Sequence, residues 1–239
     1  MSMMAMGCGA AVAQDDVLKK PLESSTEIVG DHLFLLLKPN VADRVILMTD
    51  SLPGLDDPAE LLRVAAAFTG DDLHTVCGDH VVAGELLRGY DDVTCTGHLL
   101  SVDSQVSIRS NSDLDASVSA AIKGKGYLFQ QCLIVEDGVG LVEHVPQAIR
   151  DRRAHIRYRA ACIMDNGTFA VIQGMDEMYC EEFIAGLVKL GVQQALYLDM
   201  GTWAYGWYRE CNGEPIVELA RRFDNTRYQT NWLVVRSYY

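Results

Sequence analysis

The chain has 239 residues, 49% of them hydrophobic, and 20 Lys and Arg against 33 Asp and Glu leave a formal charge of −13. That apolar share excludes a disordered chain, and a chain of this length can bury roughly 70% of its unfolded surface. The acidic balance excludes nucleic acid as a partner, because phosphate backbones are held by basic surfaces. No apolar run reaches about 18 residues, so no integral membrane span is expected.

The charge is unevenly spread. Residues 1–149 hold 22 acidic and 9 basic residues, whereas residues 150–239 hold 11 of each, ten of the basic ones arginine. An arginine-rich second half is compatible with a small anionic ligand even on an acidic protein.

In chain order, residues 1–14 read MSMMAMGCGAAVAQ. Ala11 and Ala13 are the small residues that signal peptidase reads, so a signal peptide over 1–13 and an exported protein, periplasmic or secreted, are expected. No Lys or Arg precedes the apolar run, and a floppy N-terminus on a cytosolic protein is the plainer alternative. Gly7-Cys8, preceded by Ala5 and Met6, fits a lipoprotein cleavage site poorly, so no lipid anchor is expected. Residues 14–239 are expected to form a single α+β domain.

Strands are expected at His32–Lys38 and Arg44–Thr49, on either side of Pro39-Asn40. Asp57-Pro58 has the chemistry of a helix start, which predicts a helix to about Phe68, closed by Gly70. Residues 72–110 read as short strands punctuated by Gly78, Gly84, Gly89 and Gly97. A helix is expected from Asn111 to Lys123, then a strand over Tyr127–Val135 ending at Asp137-Gly138. Two runs, Ile156–Met164 and Thr168–Gln173, flank Asp165-Asn166-Gly167 and predict a hairpin. Phe183, Ile184, Leu187, Val188 and Leu190 form a helical stripe that stops at Gly191. Val192–Leu198 is a strand, Tyr205–Cys211 and Pro215–Leu219 surround a turn at Asn212-Gly213, and Trp232–Val235 ends the pattern. The fold class is α+β, with mixed or antiparallel sheets flanked by a few helices.

Seven cysteines are present, six of them beyond residue 13, and none forms a C-x-x-C pair, which disfavours zinc. In an oxidising compartment they can form up to three disulfides, Cys77 and Cys95 first. Cys132, Cys162 and Cys180 lie in apolar surroundings, where free cysteine packs as core. His80, His98, His144 and His155 share no ligand spacing, so neither a metal nor another cofactor is expected. Arg150-Asp151-Arg152-Arg153 reads as a solvated turn. There is no serine elbow and no P-loop.

The segment Gln193–Gly201 is an apolar strand running out into Asp199-Met200-Gly201. A carboxylate there can exchange protons, hold a sugar hydroxyl or simply cap a turn. Trp203, Tyr205 and Trp207 share one face if the chain is extended, as a sugar-stacking groove or as core.

Five pieces in order resemble the phosphodiester glycosidase family: Phe129–Gly138, Arg159–Ile163 with Asp165-Asn166-Gly167, the helix ending Leu190-Gly191, Ala195–Gly201, and Arg227–Val235. Together they span roughly residues 126–236, leaving 14–125 as a divergent N-terminal part. The resemblance implies an exported hydrolase of a sugar phosphodiester or other anionic glycan. It also implies Asp199 as catalytic and Arg159, Arg227, Gly201, Thr202 and Asn231 as substrate-binding, with Trp203 beside them. Arginine suits phosphate because its fork of donors is fixed. Where the family has three glycines and a serine, this chain has Met200-Gly201-Thr202-Trp203. Where the family has an early Asn-Gly-x-Phe, this chain has Cys77-Gly78-Asp79-His80, with His80 as the substitute. A non-catalytic glycan-binding or interaction protein on the same fold is the alternative. A glycan or sugar-phosphate small molecule is the expected partner.

Overall fold

The computed structural model describes residues 20–40, 44–49, 55, 57–150 and 156–237; the expected signal peptide and most of the Arg150–Arg153 run lie outside them. The first strands are β1 (Leu22–Val29), β2 (His32–Pro39), β3 (Arg44–Met48) and β4 (Glu60–Ala65). Next come β5 (His80–Val82), β6 (Glu85–Leu87), β7 (Gly97–Val102) and β8 (Gln105–Ser110), then helix α1 (Leu114–Lys123). Strands β9 (Tyr127–Gln131), β10 (Leu133–Glu136) and β11 (Val139–Gly140) lead to the short helix α2 (Gln147–Arg150). The hairpin β12 (Arg159–Met164) and β13 (Phe169–Gly174) precedes α3 (Cys180–Lys189) and β14 (Val192–Tyr197). Last are β15 (Gly206–Tyr208), β16 (Val217–Ala220) and β17 (Trp232–Arg236).

The strands form three sheets. One has seven strands in the order β1-β2-β13-β12-β14-β10-β11; the others have five, β16-β15-β4-β17-β3 and β6-β5-β9-β7-β8. Among the described residues every ladder is antiparallel. The sheets are antiparallel and the helices few, and the fold is sheet-rich, more β than the α+β class expected. Each sheet takes strands from both sides of residue 126.

The inner strands of the seven-stranded sheet are covered on both faces, which is why β2, β10 and β12 read as apolar runs, whereas the edge strand β1 is polar and largely exposed. In β2, Phe34 and Leu36 join Phe183, Ile184 and Leu187 of α3 in one cluster, while Leu35 and Leu37 join Val64, Phe129 and Leu233 in another. The Phe34 and Phe183 rings stack with centroids 6.0 Å apart. The predicted hairpin at Asp165-Asn166-Gly167 forms, with Gly167 at φ +78° supplying the left-handed turn residue.

The helix expected over Pro58–Phe68 is instead β4, bonded on one side to β15 and on the other to β17. All six of its residues are buried. A surface helix would leave one face in water, whereas this segment is enclosed on every side, so sheet pairing outweighs the helix preference of its Leu and Ala. Asp57 still accepts the Ala59 N–H at 2.9 Å, but in a turn that no helix follows. The Arg63 charge is held within the strand by Glu60, at 2.6 Å. The single strand expected over Tyr127–Val135 divides at Cys132, because β9 and β10 belong to different sheets. The aromatic run also resolves. Tyr205 and Trp207 are buried with Trp232 and Val234, so these two rings pack the core and present no face to a ligand. Trp203 sits on a 3-10 turn, Gly201–Trp203, outside that stripe.

Cys77 and Cys95 form a disulfide, and Cys132, Cys162 and Cys180 are free and buried. Among the described residues no helix is long and apolar enough to cross a membrane.

Candidate functional site

β14 lies between β12 and β10 and its chain runs out at Leu198 and Asp199. The Leu198 N–H donates to the Arg159 carbonyl at 3.0 Å and the Asp199 N–H to the Ala66 carbonyl at 3.0 Å. These bonds fix the strand end between two sheets. The Asp199 side chain is only 5% exposed. Burial pushes its pKa up to about 8, although the backbone N–H groups of Met200 and Thr69 both donate to it and pull the other way. Asn231 holds the other side of this arrangement. Its Oδ1 accepts the Ala67 N–H at 2.7 Å, and its Nδ2 donates to Thr69 Oγ1 at 3.4 Å.

Two clefts flank the Asp199 turn. The first, about 350 Å³, is lined by Thr69, Gly70, Asp71, Thr75, Tyr90 and Asp92. Burial pushes the Tyr90 hydroxyl up to about 12, helped by the charges of Asp92, Asp199, Asp71 and Asp72. These acidic groups therefore share one local field. The Cys77–Cys95 disulfide ties the loop after β4 to the loop carrying Tyr90 and Asp92.

The second cleft, about 550 Å³, takes Met200 and Gly201 from the turn, with Gln173, Ala204, Leu219 and Phe223 among its walls and Arg157 and Arg221 beside them. Gly201 has φ +72°, a left-handed conformation that any side chain would strain. Behind the wall lies Arg159, fully buried. Its Nε and Nη2 donate to Gln173 Oε1 at 2.8 and 2.6 Å, and Nη2 also donates to the Ala204 carbonyl at 3.1 Å. Its Nη1 has no hydrogen-bond partner among the described residues. Burial brings its pKa down to about 9, a sign of a cation held without water around it.

The remaining residues singled out from the sequence fall into two places. Thr202 is exposed, and its Oγ1 accepts a hydrogen bond from Asn225 at 2.9 Å, joining the Gly201–Trp203 turn to the 3-10 turn Asp224–Tyr228. Arg227, on that second turn, is exposed and stacks over Tyr228 with its guanidinium carbon 4.7 Å from the ring centroid. His80 lines a separate cleft with His74, Arg88 and Thr230. That cleft and the acidic one share Thr75. Burial lowers the His80 pKa, against the opposing pull of the Gly78 carbonyl and Asp79. Asp199 and Asn231 thus both bind the Ala66–Thr69 segment after β4, with Gly201 two residues beyond Asp199 and the Arg159 carbonyl holding Leu198. Sequence inspection missed Thr69, Tyr90, Asp92, Arg157 and Arg221. The runs Thr69-Gly70-Asp71-Asp72 and Tyr90-Asp91-Asp92 look like ordinary polar turns, and only the disulfide between their loops hints that they meet. Among the described residues no three His, Cys, Asp or Glu side chains gather in a way that could hold a metal.

The fold of three antiparallel sheets is shared with two solved structures. The chain is similar to the catalytic domain of zebrafish N-acetylglucosamine-1-phosphodiester alpha-N-acetylglucosaminidase, in a structure auto-inhibited by its pro-peptide. The TM-score is 0.59 at 11% identity, over 95% of this chain and 85% of that one. It is also similar to a hypothetical protein from Synechocystis, with a TM-score of 0.51 at 11% identity, over 90% of this chain and 62% of the other. No protein-family model and no curated protein sequence matches the chain. The likeness is one of fold.

Proposed function

We propose that the chain is an exported hydrolase of the phosphodiester glycosidase type, acting on a sugar phosphodiester or other anionic glycan, with residues 14–239 as one catalytic unit. The observation that carries this is the buried carboxyl of Asp199 at the end of β14, where burial raises its pKa to about 8. With a pKa of about 8, about nine-tenths of Asp199 molecules are protonated at pH 7, so the group is a general acid under neutral conditions. It lies where an acidic cleft and an arginine-bearing cleft flank one turn, on a fold shared with a glycosidase catalytic domain.

The two clefts divide the substrate by its chemistry. Arg157, Arg221 and, from behind, Arg159 favour the phosphate, with Arg227 and Thr202 at the outer turns. Asp71 and Asp92 offer acceptors to sugar hydroxyls and to the attacking water, and the buried Asn231 holds the Ala67–Thr69 segment beside them. Water adds to the anomeric carbon as its bond to the ester oxygen breaks. The electron pair leaves with that oxygen, which takes the Asp199 proton; the attacking water loses its proton through the acidic cleft to solvent, from which Asp199 is reprotonated, and the arginines hold the charge on the departing phosphate. His80 and Trp203 belong to the outer reach of the sugar side. The Cys77–Cys95 disulfide is compatible with export.

The test is hydrolysis of a sugar 1-phosphodiester by the wild type and by Asp199→Asn. Loss of general acid catalysis is worth roughly 10²–10⁴-fold in turnover. Binding is kept in the variant, and wild-type activity falls above about pH 8. A wild-type protein without turnover from acid to alkaline pH defeats the proposal and leaves a glycan-binding or interaction protein.

A further inference from the structure

The cleft that holds Gly201 has walls that neither a sugar nor a bare phosphate uses. Met200, Ala204, Leu219, Ala220, Phe223 and Ile156 line it with carbon. Arg157, Arg221 and Glu177 are its charged lining groups, and all three are exposed. Arg221 is held over the Phe223 ring at 4.7 Å, so a guanidinium and an aromatic face are presented together. The polar wall groups, Gln173 and the Ala204 carbonyl, already bind Arg159 and so have little capacity left for a sugar hydroxyl. A volume of about 550 Å³ lies within the range of small-molecule sites, roughly 300–1,000 Å³. An apolar wall contributes affinity only when apolar ligand surface displaces water from it. A hydrophilic leaving group would leave that surface wet.

Resting on the hydrolase proposal, we infer that this cleft takes the leaving-group side of the diester and that the leaving group is an alkyl-like apolar group carried on phosphate. The substrate is then an amphiphile. Its sugar lies toward the acidic cleft, its phosphate beside the arginines, and its apolar group lies against Leu219, Ala220 and Phe223. Arg159 biases the whole cleft toward anions, because a fully buried guanidinium with a free donor and no carboxylate partner among the described residues favours negative charge nearby.

Binding of monomeric alkyl phosphates, measured by calorimetry, tests the inference without requiring turnover. Inorganic phosphate and ethyl, butyl and hexyl phosphate form the series. Affinity rises along it by up to about fourfold per methylene buried. Ala220→Asp, at a half-buried position on the edge strand β16, flattens the series, and Phe223→Ala reduces its slope. Arg221→Ala weakens every member alike and leaves the slope. A flat series in the wild type, or a slope unchanged in both Ala220→Asp and Phe223→Ala, overturns the inference. A protein that shows the slope but hydrolyses nothing keeps the cleft assignment and loses the hydrolase proposal. One that hydrolyses sugar phosphodiesters with a flat series does the reverse.

Discussion

Asp199→Asn should make the protein more stable while removing its activity, and the gain should depend on pH. The unfolded aspartate titrates near 3.9, whereas burial raises the folded group to about 8. Between those values the folded state binds more protons than the unfolded one, so stability falls as pH rises. At about 1.36 kcal/mol per pH unit, the wild type gives up ~4 kcal/mol by pH 7 and ~6 kcal/mol well above pH 8. Asparagine stays neutral throughout, and its Oδ1 can still accept the two backbone N–H groups of Met200 and Thr69. Urea unfolding at pH 5, 7 and 9 gives the comparison, because every other titrating group is common to both proteins and cancels in the difference. The expected gain for the variant is small at pH 5 and approaches its full size by pH 9. A difference that is the same at all three values would refute the argument, since it would mean that Asp199 is ionised in the folded protein across the range.

The other expectations concern the frame around the site. Cys77 and Cys95 are 18 residues apart, so replacing both by serine removes a loop constraint worth about 3 kcal/mol, read as a lower denaturation midpoint matched by the reduced wild type. A Cβ at Gly186 would lie 2.3 Å from Phe34 Cζ, inside the stack between α3 and β2. Gly186→Ala therefore destabilises by roughly 1–3 kcal/mol through overpacking, although alanine is the better helix former; a rise in melting temperature would contradict this. Glu60→Gln removes the charge from the carboxylate that accepts from the buried Arg63, and chemical denaturation should show a loss of roughly 1–3 kcal/mol.

How far the sequence discloses the fold depends on whether local and tertiary demands agree. At Asp165-Asn166-Gly167 and at the α3 stripe they agree, and both elements stand where the pattern puts them. At β4 they conflict. Asp57-Pro58 opens a helix by local chemistry, yet Leu61, Leu62, Val64 and Ala65 are each fully buried between two neighbouring strands. Only the partners β15 and β17, more than a hundred residues later, decide the matter, and no window on the sequence contains them. Cys132 is a similar case. The apolar run continues through it without a break while the chain passes from one sheet to another.

The charge pattern carries more of the site than any single motif does. Asp71, Asp72 and Asp92 belong to the acidic first part of the chain, and Arg157, Arg159 and Arg221 to the neutral, arginine-rich second part. β4 and β14 bring the two parts together, because the Asp199 N–H donates to the Ala66 carbonyl just beyond β4. The acidic cleft takes Thr69, whose N–H donates to Asp199, and the arginine-bearing cleft takes Met200 and Gly201, the next two residues. Neither charge set alone accounts for a carboxyl that keeps its proton to about pH 8; for that it must be buried, and the meeting of the two sheets buries it. An unequal charge distribution along a sequence is thus informative about a site when the fold sets the two halves face to face, and the strand end at Asp199 is where these halves meet.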